Sequence, residues 1–336
     1  MNKSKIQFKQ KLSELQKYVE QLSKPTYCVT CGKKMTSFCN SHVVPQFILK
    51  EIAECGMIYY GQSLHKENEF FPTKTGIKNA FTFKLICKDC DKRLFSNYEM
   101  PEVITDFDNF SYEKKKLVLL EMAIKTHLSH INTKLKMHNL EVAVNPEMVG
   151  IMEMLKQPTT FQIDISEHFD YLHSLSKFRK GTTFPFEILF NKLYDYQTSI
   201  ATQTLISYIY DLNGQQLYNP YNLSDSVITR YFYLVIFPYK NKTRVLFYIE
   251  KKNKYLVQKI IDQFNGLEDE EKLHFLFISL IIFDEQFYLS PALHEKIIKD
   301  KKLTKLYRNI ERISEFSWHN CKEIMNFRQY TNYLLQ

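Results

Sequence analysis

The 336-residue sequence lacks the long apolar segment that a membrane-spanning helix requires. Its longest apolar run, Phe275 to Phe283, is much too short to cross a bilayer, and the polar start of the chain is not followed by the apolar core of a secretory signal. It also lacks a dispersed disulfide framework, because four of its seven cysteines fall into two close pairs, which favours a reducing compartment. We therefore expect a cytoplasmic protein without a membrane partner.

Glycine is scarce, with 8 residues, and the motifs that depend on it are missing. There is no glycine-rich phosphate loop and no nucleophile elbow, and the helix motif of zinc proteases is also absent. These absences exclude three common hydrolase patterns. Tryptophan occurs once, whereas tyrosine and phenylalanine number 22 and 26. This aromatic content fits stacking surfaces, but it fits an AT-biased coding sequence at least as well.

Positive charge is concentrated in the N-terminal part of the chain. Residues 1–100 contain 16 Lys/Arg and 9 Asp/Glu, a balance of +7, whereas residues 101–336 contain 29 and 28, a balance of +1. A basic surface of this kind can neutralise the phosphates of nucleic acid. It can equally be a solvated face, and charge alone leaves both interpretations open.

The patterns along the chain predict an α+β protein in three segments. Residues 1–25 form a leader helix that ends at Pro25, residues 26–105 form a small cysteine-pinned module with short β-type stretches, and residues 106–336 form a mainly helical domain with a β-hairpin. The predicted helices of this domain are 113–137, 185–212, 254–265, 269–283, 290–300, 303–315 and 319–334. The predicted hairpin strands are 227–237 and 243–249, on either side of a polar turn.

Two C-x-x-C pairs are the strongest motif in the sequence. Cys28 and Cys31 form the first pair, Cys87 and Cys90 form the second, and 55 residues separate them. Each pair can place two sulfurs about 2.3 Å from one tetrahedral zinc ion while the intervening chain loops out. We predict one structural zinc ion. The alternatives are unrelated reduced thiols or a redox pair, for which the usual βαβ context is missing.

The other three cysteines are weaker candidates for the metal. Cys39 follows Cys31 by eight residues and is the one competing ligand. Cys55 and Cys321 are isolated and are predicted to be small packing residues. His127 and His130 share a face of the predicted helix 113–137, where a solvated or packed role is favoured over metal binding.

Three motifs follow one another in the N-terminal third: Cys28-Val-Thr-Cys31, Ser41-His42-Val-Val-Pro45 and Cys87-Lys-Asp-Cys90-Asp91. In this order they resemble the HNH, or ββα-metal, nucleases, in particular the zinc-stapled branch that includes phage-type endonuclease VII. The segment from Cys90 to Glu99 is also similar to the C-x-x-C-E-x-x-F-S-x-Y-E signature of uncharacterised bacterial HNH-like proteins. The resemblance covers about residues 26–100 and implies a zinc-stapled ββα-metal fold for this module.

The resemblance implies metal-dependent hydrolysis of phosphodiester bonds, in DNA more than in RNA. His42 would be the base that deprotonates water, and Asp91 would hold the catalytic Mg²⁺ or Mn²⁺. Ser41 and Asn97 are further candidate ligands of that cation. The candidate phosphate contacts, or a solvated rim, are Lys84, Lys88, Lys92 and Arg93. A role in phage defence fits such an enzyme, and the helical domain would sense a signal, position substrate or form a homodimer.

Two departures from the family pattern keep a second hypothesis open. Ser41 stands where the family has an acidic residue or histidine, and Thr82 or Asn79 stands where a strand asparagine orients the catalytic histidine. Glu99 lies eight residues, about 12 Å of helix, from Asp91, so the two cannot easily share an ion. The alternative is a non-catalytic zinc module that binds nucleic acid or protein, with His42 as a buried structural residue.

Overall fold

The structure, a computed structural model, describes residues 3–61, 74–80, 82–156, 158–218, 229–283, 286–311 and 325–335. These residues form a mixed helix and sheet protein, so the α+β class is confirmed. The helices are α1 Lys3–Leu22, α2 Gln46–Ile52, α3 Lys88–Leu94, α4 Glu102–Thr105, α5 Tyr112–Val144, α6 Pro146–Met154, α7 Thr160–Phe178, α8 Gln258–Asn265, α9 Asp269–Phe283, α10 Pro291–Lys299 and α11 Lys301–Glu311. The strands are β1 Ser41–His42, β2 Met57–Tyr60, β3 Lys74–Gly76, β4 Thr82–Phe83, β5 Phe186–Tyr194, β6 Ile200–Ile206, β7 Phe232–Tyr239, β8 Lys242–Glu250 and β9 Phe287–Leu289.

The chain folds into two compact units, and each is assembled from separate stretches of sequence. The first unit comprises residues 1–43, 81–98 and 120–181, and the second comprises residues 44–80, 99–119 and 182–336. The three predicted segments are continuous in sequence, whereas both units are discontinuous. The reason is that residues 44–61 and 74–80, which lie between the two cysteine pairs, belong to the second unit, while α7 and most of α5 belong to the first.

The first unit contains a short β-ladder and four of the longer helices. β1 pairs with β4 antiparallel, with Ser41 opposite Phe83 and His42 opposite Thr82, and the chain then enters α3 at the second cysteine pair. The unit also contains α1, the predicted leader helix, together with α5 from Leu120 onward, α6 and α7. Helix α7 begins with a capping box between Thr159 and Gln162, which satisfies backbone N–H groups at its first turn.

The second unit is built on a seven-stranded antiparallel sheet in the order β3-β2-β9-β6-β7-β8-β5. Its apolar core packs α8 and α9 against side chains of the sheet such as Phe232, Phe247 and Ile249. The predicted hairpin is confirmed as β7 and β8. Its turn residues Lys240 and Asn241 have φ values of 45° and 62°, the left-handed conformation that favours a tight hairpin turn.

The prediction of a helix over 185–212 is wrong, because this segment forms β5 and β6. Every residue of β6 is buried, so the strand shows no alternation of apolar and polar residues. Its β-branched residues, Ile200, Thr202 and Thr204 among them, favour a strand and should have carried more weight. The helix predicted over 319–334 is also wrong where the structure describes it, since residues 325–329 form only a 3-10 turn; residues 312–324 lie outside the described part.

The predicted helices 269–283 and 290–300 are confirmed to within one residue at each end, and 254–265 begins as a 3-10 helix before α8. The predicted helix 113–137 is part of α5, which continues to Val144. The predicted helix 303–315 is confirmed as α11 up to Glu311, and residues 312–315 lie outside the described part. Across the described residues, no helix combines the length and the apolar composition needed to cross a membrane.

Candidate metal centre

The two C-x-x-C pairs meet in the first unit. Cys28 and Cys31 lie in a tight turn in which the Gly32 N–H donates to the Cys28 carbonyl, and Gly32 has a φ of 69° that suits glycine. Cys87 caps the N-terminus of α3, and Cys90 lies in its first turn. The four sulfur atoms all lie within 4.8 Å of one another. The chain thus brings four thiol ligands to one point.

The cysteine cluster fits a tetrahedral zinc ion. The Sγ atoms of Cys31 and Cys87 are 3.9 Å apart, close to the roughly 3.8 Å edge of a tetrahedron with Zn–S bonds of about 2.3 Å. The backbone N–H of Cys87 donates to the Cys28 sulfur at 3.3 Å, which supports a thiolate. Four cysteines are a common ligand set of structural zinc sites, so these residues can bind a metal ion such as zinc.

The pKa values of two of these thiols, Cys28 and Cys90, shift in opposite directions. Burial raises the pKa of Cys28, but the backbone N–H groups of Cys87, Cys31 and Thr30 outweigh it and lower that pKa to about 7. Burial and hydrogen bonds with the neighbouring thiols raise the pKa of Cys90. A bound zinc ion would deprotonate both thiols, because its charge favours the thiolate.

Cys39, the competing ligand, lies outside the cluster of four. Its thiol donates to Asp91 Oδ2 at 3.4 Å. Cys55 is exposed, which differs from the packing role predicted for it, and Cys321 lies outside the described residues.

Ser41 and Asp91 bring the second and third sequence motifs into contact. Ser41 is buried at the start of β1, and its hydroxyl donates a short hydrogen bond to Asp91 Oδ1. His42 follows on the same strand, is half-buried and lies opposite Thr82 in the β-ladder. Because consecutive strand residues point to opposite faces, the Ser41 and His42 side chains leave the strand on opposite sides.

Asp91 is also paired with a lysine that the sequence analysis missed. The Lys125 Nζ lies 3.6 Å from Asp91 Oδ1, and the Lys125 side chain is only 1% exposed. The same ammonium lies 4.5 Å from the centre of the Phe95 ring and 5.5 Å from that of Tyr98. These are cation–π distances, so two aromatic faces and one carboxylate surround the charge.

Asn97, predicted as a cation ligand, belongs to a second polar group. Its side-chain amide donates to Glu121 Oε1 at 2.6 Å, and its backbone N–H donates to Glu121 Oε2 at 2.8 Å. Arg179 pairs with Glu121 Oε1 at 3.1 Å and also donates to the Leu94 carbonyl at 3.1 Å. Burial raises the pKa of Glu121, and the Asn97 and Arg179 contacts oppose that rise.

The sequence gives only a weak signal for Glu121 and Lys125, two charged residues within the predicted helix 113–137. They lie four residues apart, in a stretch of α5 whose residues from Glu121 to Ser129 are all buried. Charged residues almost never occur in such a stretch unless they are paired, so their position alone indicates partners. The identity of those partners required the tertiary structure.

A divalent cation does not fit the donors around Asp91 as they are arranged. Mg²⁺ and Mn²⁺ prefer several oxygen ligands, and Mg²⁺ needs near-octahedral geometry. Here the Asp91 carboxylate accepts from Ser41 and Cys39 and faces the positive charge of Lys125. Asn97 is bound to Glu121. The arrangement suits an ammonium group better than a divalent ion.

The four candidate phosphate-binding residues fall into two groups. Lys84 is engaged in an ion pair with Glu20 of α1, at 2.7 Å. Lys88, Lys92 and Arg93 are exposed on α3, and Arg93 also reaches the Cys90 sulfur at 3.8 Å. Helix α3 therefore presents three cations to solvent directly beside the cysteine cluster.

Three histidines meet elsewhere in the first unit. His127 on α5 and His168 on α7 are buried, with their Nδ1 atoms 2.9 Å apart, and Tyr171 stacks on the His127 ring. The His130 ring centre lies 5.5 Å from that of His168, and the buried His130 Nε2 has no hydrogen-bond partner among the described residues. Of the solvated and packed roles predicted for His127 and His130, the packed role agrees with this arrangement.

Buried neutral histidines make the first unit sensitive to acid. Burial and the nearby Lys134 lower the pKa of His130 to about 3, and burial lowers that of His168 as well. The unfolded chain binds these protons below a pKa of about 6.5, so the free energy of unfolding falls as the pH drops from there towards 3.

This fall in the free energy of unfolding can be measured by urea unfolding at pH 7.5 and pH 5.5. His130→Phe should reduce the loss of stability between the two values by about 1.4 kcal/mol, because one proton fewer is taken up on unfolding. His173→Phe, at an exposed position on α7, serves as the control and should leave the loss unchanged. An equal loss in wild type and His130→Phe would contradict the assignment.

Comparisons of the chain with protein-family models, with curated proteins and with solved structures find no match. The HNH resemblance therefore rests on the sequence motifs alone.

Proposed function

We propose that the first unit is a zinc-stapled, HNH-like endonuclease module that hydrolyses phosphodiester bonds of DNA. The main support for this proposal is the contact between Ser41 of β1 and Asp91 of α3, which joins the second and third sequence motifs. This contact lies beside the cluster of four cysteines. The order of β1, β4 and α3, two antiparallel strands followed by a helix, supports a ββα arrangement.

The proposed roles combine the family resemblance, which gives the role of His42, with the positions of the cysteines and of the cations on α3. Structural zinc held by the four cysteines fixes α3 to the turn that contains Cys28 and Cys31. His42 takes the proton from the attacking water, and exposed Lys88, Lys92 and Arg93 of α3 bind phosphate oxygens. The resemblance assigns Mg²⁺ or Mn²⁺ to Asp91, but the surroundings of this carboxylate favour an ammonium partner, so charge stabilisation is assigned to the cations of the chain itself.

The test is a cleavage assay with the full-length, zinc-loaded protein. Supercoiled plasmid, linear duplex and single-stranded DNA are each incubated with no added divalent cation, with Mg²⁺ and with Mn²⁺. Conversion to nicked or shortened products that depends on protein concentration supports the proposal. Intact substrates under every condition would refute it.

The second candidate is a non-catalytic zinc module that binds nucleic acid. The ion pair between Asp91 and Lys125 favours it, because this carboxylate is already neutralised inside the protein. Binding of DNA without cleavage in the same assay would select this candidate.

Both candidates predict electrostatic binding through α3. Neutralising a phosphate of duplex DNA contributes about 0.9 to the slope of log affinity against log salt. The double substitution Lys88→Ala and Lys92→Ala should therefore flatten that slope by about 1.8 when affinity is measured by fluorescence anisotropy at several salt concentrations. Lys11→Ala, at an exposed position on α1, is the matched charge control and should change the slope little. Equal slopes in wild type and the double variant would exclude α3 as the contact surface.

A further inference from the structure

We propose that Lys125 supplies the positive charge at Asp91 in place of a divalent cation, so that this site excludes catalytic metal. The first part of this inference, that the site excludes a catalytic metal ion, rests only on the structure of the folded protein. The consequence for hydrolysis, that it needs no added Mg²⁺ or Mn²⁺, rests on the proposed function.

The lysine is held at the position where strand and helix donors converge. Ser41 donates to Asp91 Oδ1, and Lys125 Nζ lies 3.6 Å from the same oxygen. The ring of Phe95 lies 4.5 Å from that nitrogen. An ammonium so enclosed has little freedom to leave, because it would lose both the carboxylate and the aromatic face.

Charge balance points the same way. In this part of the first unit, outside the cysteine cluster, two ion pairs lie close together: Asp91 with Lys125 and Glu121 with Arg179. Glu121 and Lys125 lie one helical turn apart on α5, so the two pairs are neighbours. A divalent ion at Asp91 would add two positive charges beside these cations, and burial strengthens that repulsion.

Tyr98 is the second aromatic residue near the Lys125 ammonium. Its hydroxyl donates to the Val43 carbonyl at 3.0 Å, which fixes the ring over the lysine to the segment that follows β1. Through these contacts Lys125 links α5 to Asp91 of α3 and, by way of Tyr98, to Val43 after β1. A hydrated metal ion would not reproduce these contacts.

The test measures Mn²⁺ binding by electron paramagnetic resonance on the full-length, zinc-loaded protein. Wild type and Asp91→Asn should bind the same number of Mn²⁺ ions. Lys125→Met, which keeps the length and the apolar stem, should gain one Mn²⁺ site that wild type lacks, because the Asp91 carboxylate then has no ammonium partner in Lys125. That site should be absent from the double variant Lys125→Met/Asp91→Asn. If Lys125→Met does not fold, Lys125→Gln replaces it.

Two results would overturn the inference. One is a Mn²⁺ ion that binds wild type and is lost in Asp91→Asn. The other is a folded Lys125→Met protein that gains no Mn²⁺ site. DNA cleavage in the same samples separates this inference from the proposed function: Mn²⁺-dependent cleavage with an Asp91-dependent ion overturns only the inference, whereas intact DNA with no Asp91-dependent ion refutes only the nuclease.

Discussion

Replacing Cys90 with serine is expected to release the zinc ion and to unfold the part of the first unit around the cysteine cluster, residues 26–43 and 82–98. Cys90 is 2% exposed, and its sulfur lies within the cluster of four. Structural zinc contributes about 10–16 kcal/mol of folding free energy in zinc-finger peptides, which matches or exceeds the whole stability of a typical domain, about 5–15 kcal/mol. Loss of one zinc ligand should therefore be enough to unfold these residues.

Elemental analysis and hydrogen exchange check this prediction together. Wild type should hold one zinc per chain, and Cys90→Ser should hold much less, with fast amide exchange in residues 26–43 and 82–98. Cys55→Ser is the matched control, because Cys55 is exposed and belongs to the second unit. Cys39→Ser, which replaces the thiol that donates to Asp91 with a hydroxyl, should also retain zinc. A Cys90→Ser protein with full zinc content and unchanged exchange would contradict the structural role of the ion.

The cysteine cluster could be predicted because its signal is local. A C-x-x-C pair places two sulfurs on one side of a short turn, and two such pairs need only one contact between them to complete a site. The partner of Asp91 was not visible in the same way. Lys125 lies 34 positions further along the chain, and only the packing of α5 brings it to the carboxylate.

The strands of the second unit show the same difference between local and non-local signals. The hairpin β7 and β8 was predicted from its polar turn, which is a local feature. Strand β6 was predicted as helix because both of its faces are buried, and a strand of this kind has no alternating pattern to identify it. Its neighbours β7 and β9 come from distant parts of the sequence, so their pairing could not be read from residues near β6.

The boundaries between the units were beyond the sequence for a related reason. Helix α5 has one continuous helical pattern, yet its residues from Leu120 onward fold with the cysteine cluster and its earlier residues do not. Nothing in the periodicity marks Leu120. The division follows from which side chains find partners, such as Glu121 with Asn97 and Arg179.

His42→Ala is expected to lower the rate of DNA cleavage by a factor of about 10²–10⁴, the usual contribution of a general base. Zinc content should stay unchanged, because His42 is not among the four clustered ligands. The rate is measured by single-turnover cleavage of a labelled duplex at saturating protein, which separates the chemical step from DNA binding. His173→Ala, at an exposed position on α7 of the same unit, is the control and should cleave like wild type.

A structural role for His42 would give a different pattern. If His42 only supports the β1–β4 ladder, its loss should lower the thermal midpoint and DNA affinity together, and added imidazole should restore nothing. If His42 is the base, affinity and thermal midpoint should hold, and imidazole in the buffer should return part of the lost rate to His42→Ala, because the small base can occupy the space that the side chain vacates. Cleavage by His42→Ala at the wild-type rate would place the active site elsewhere in the chain.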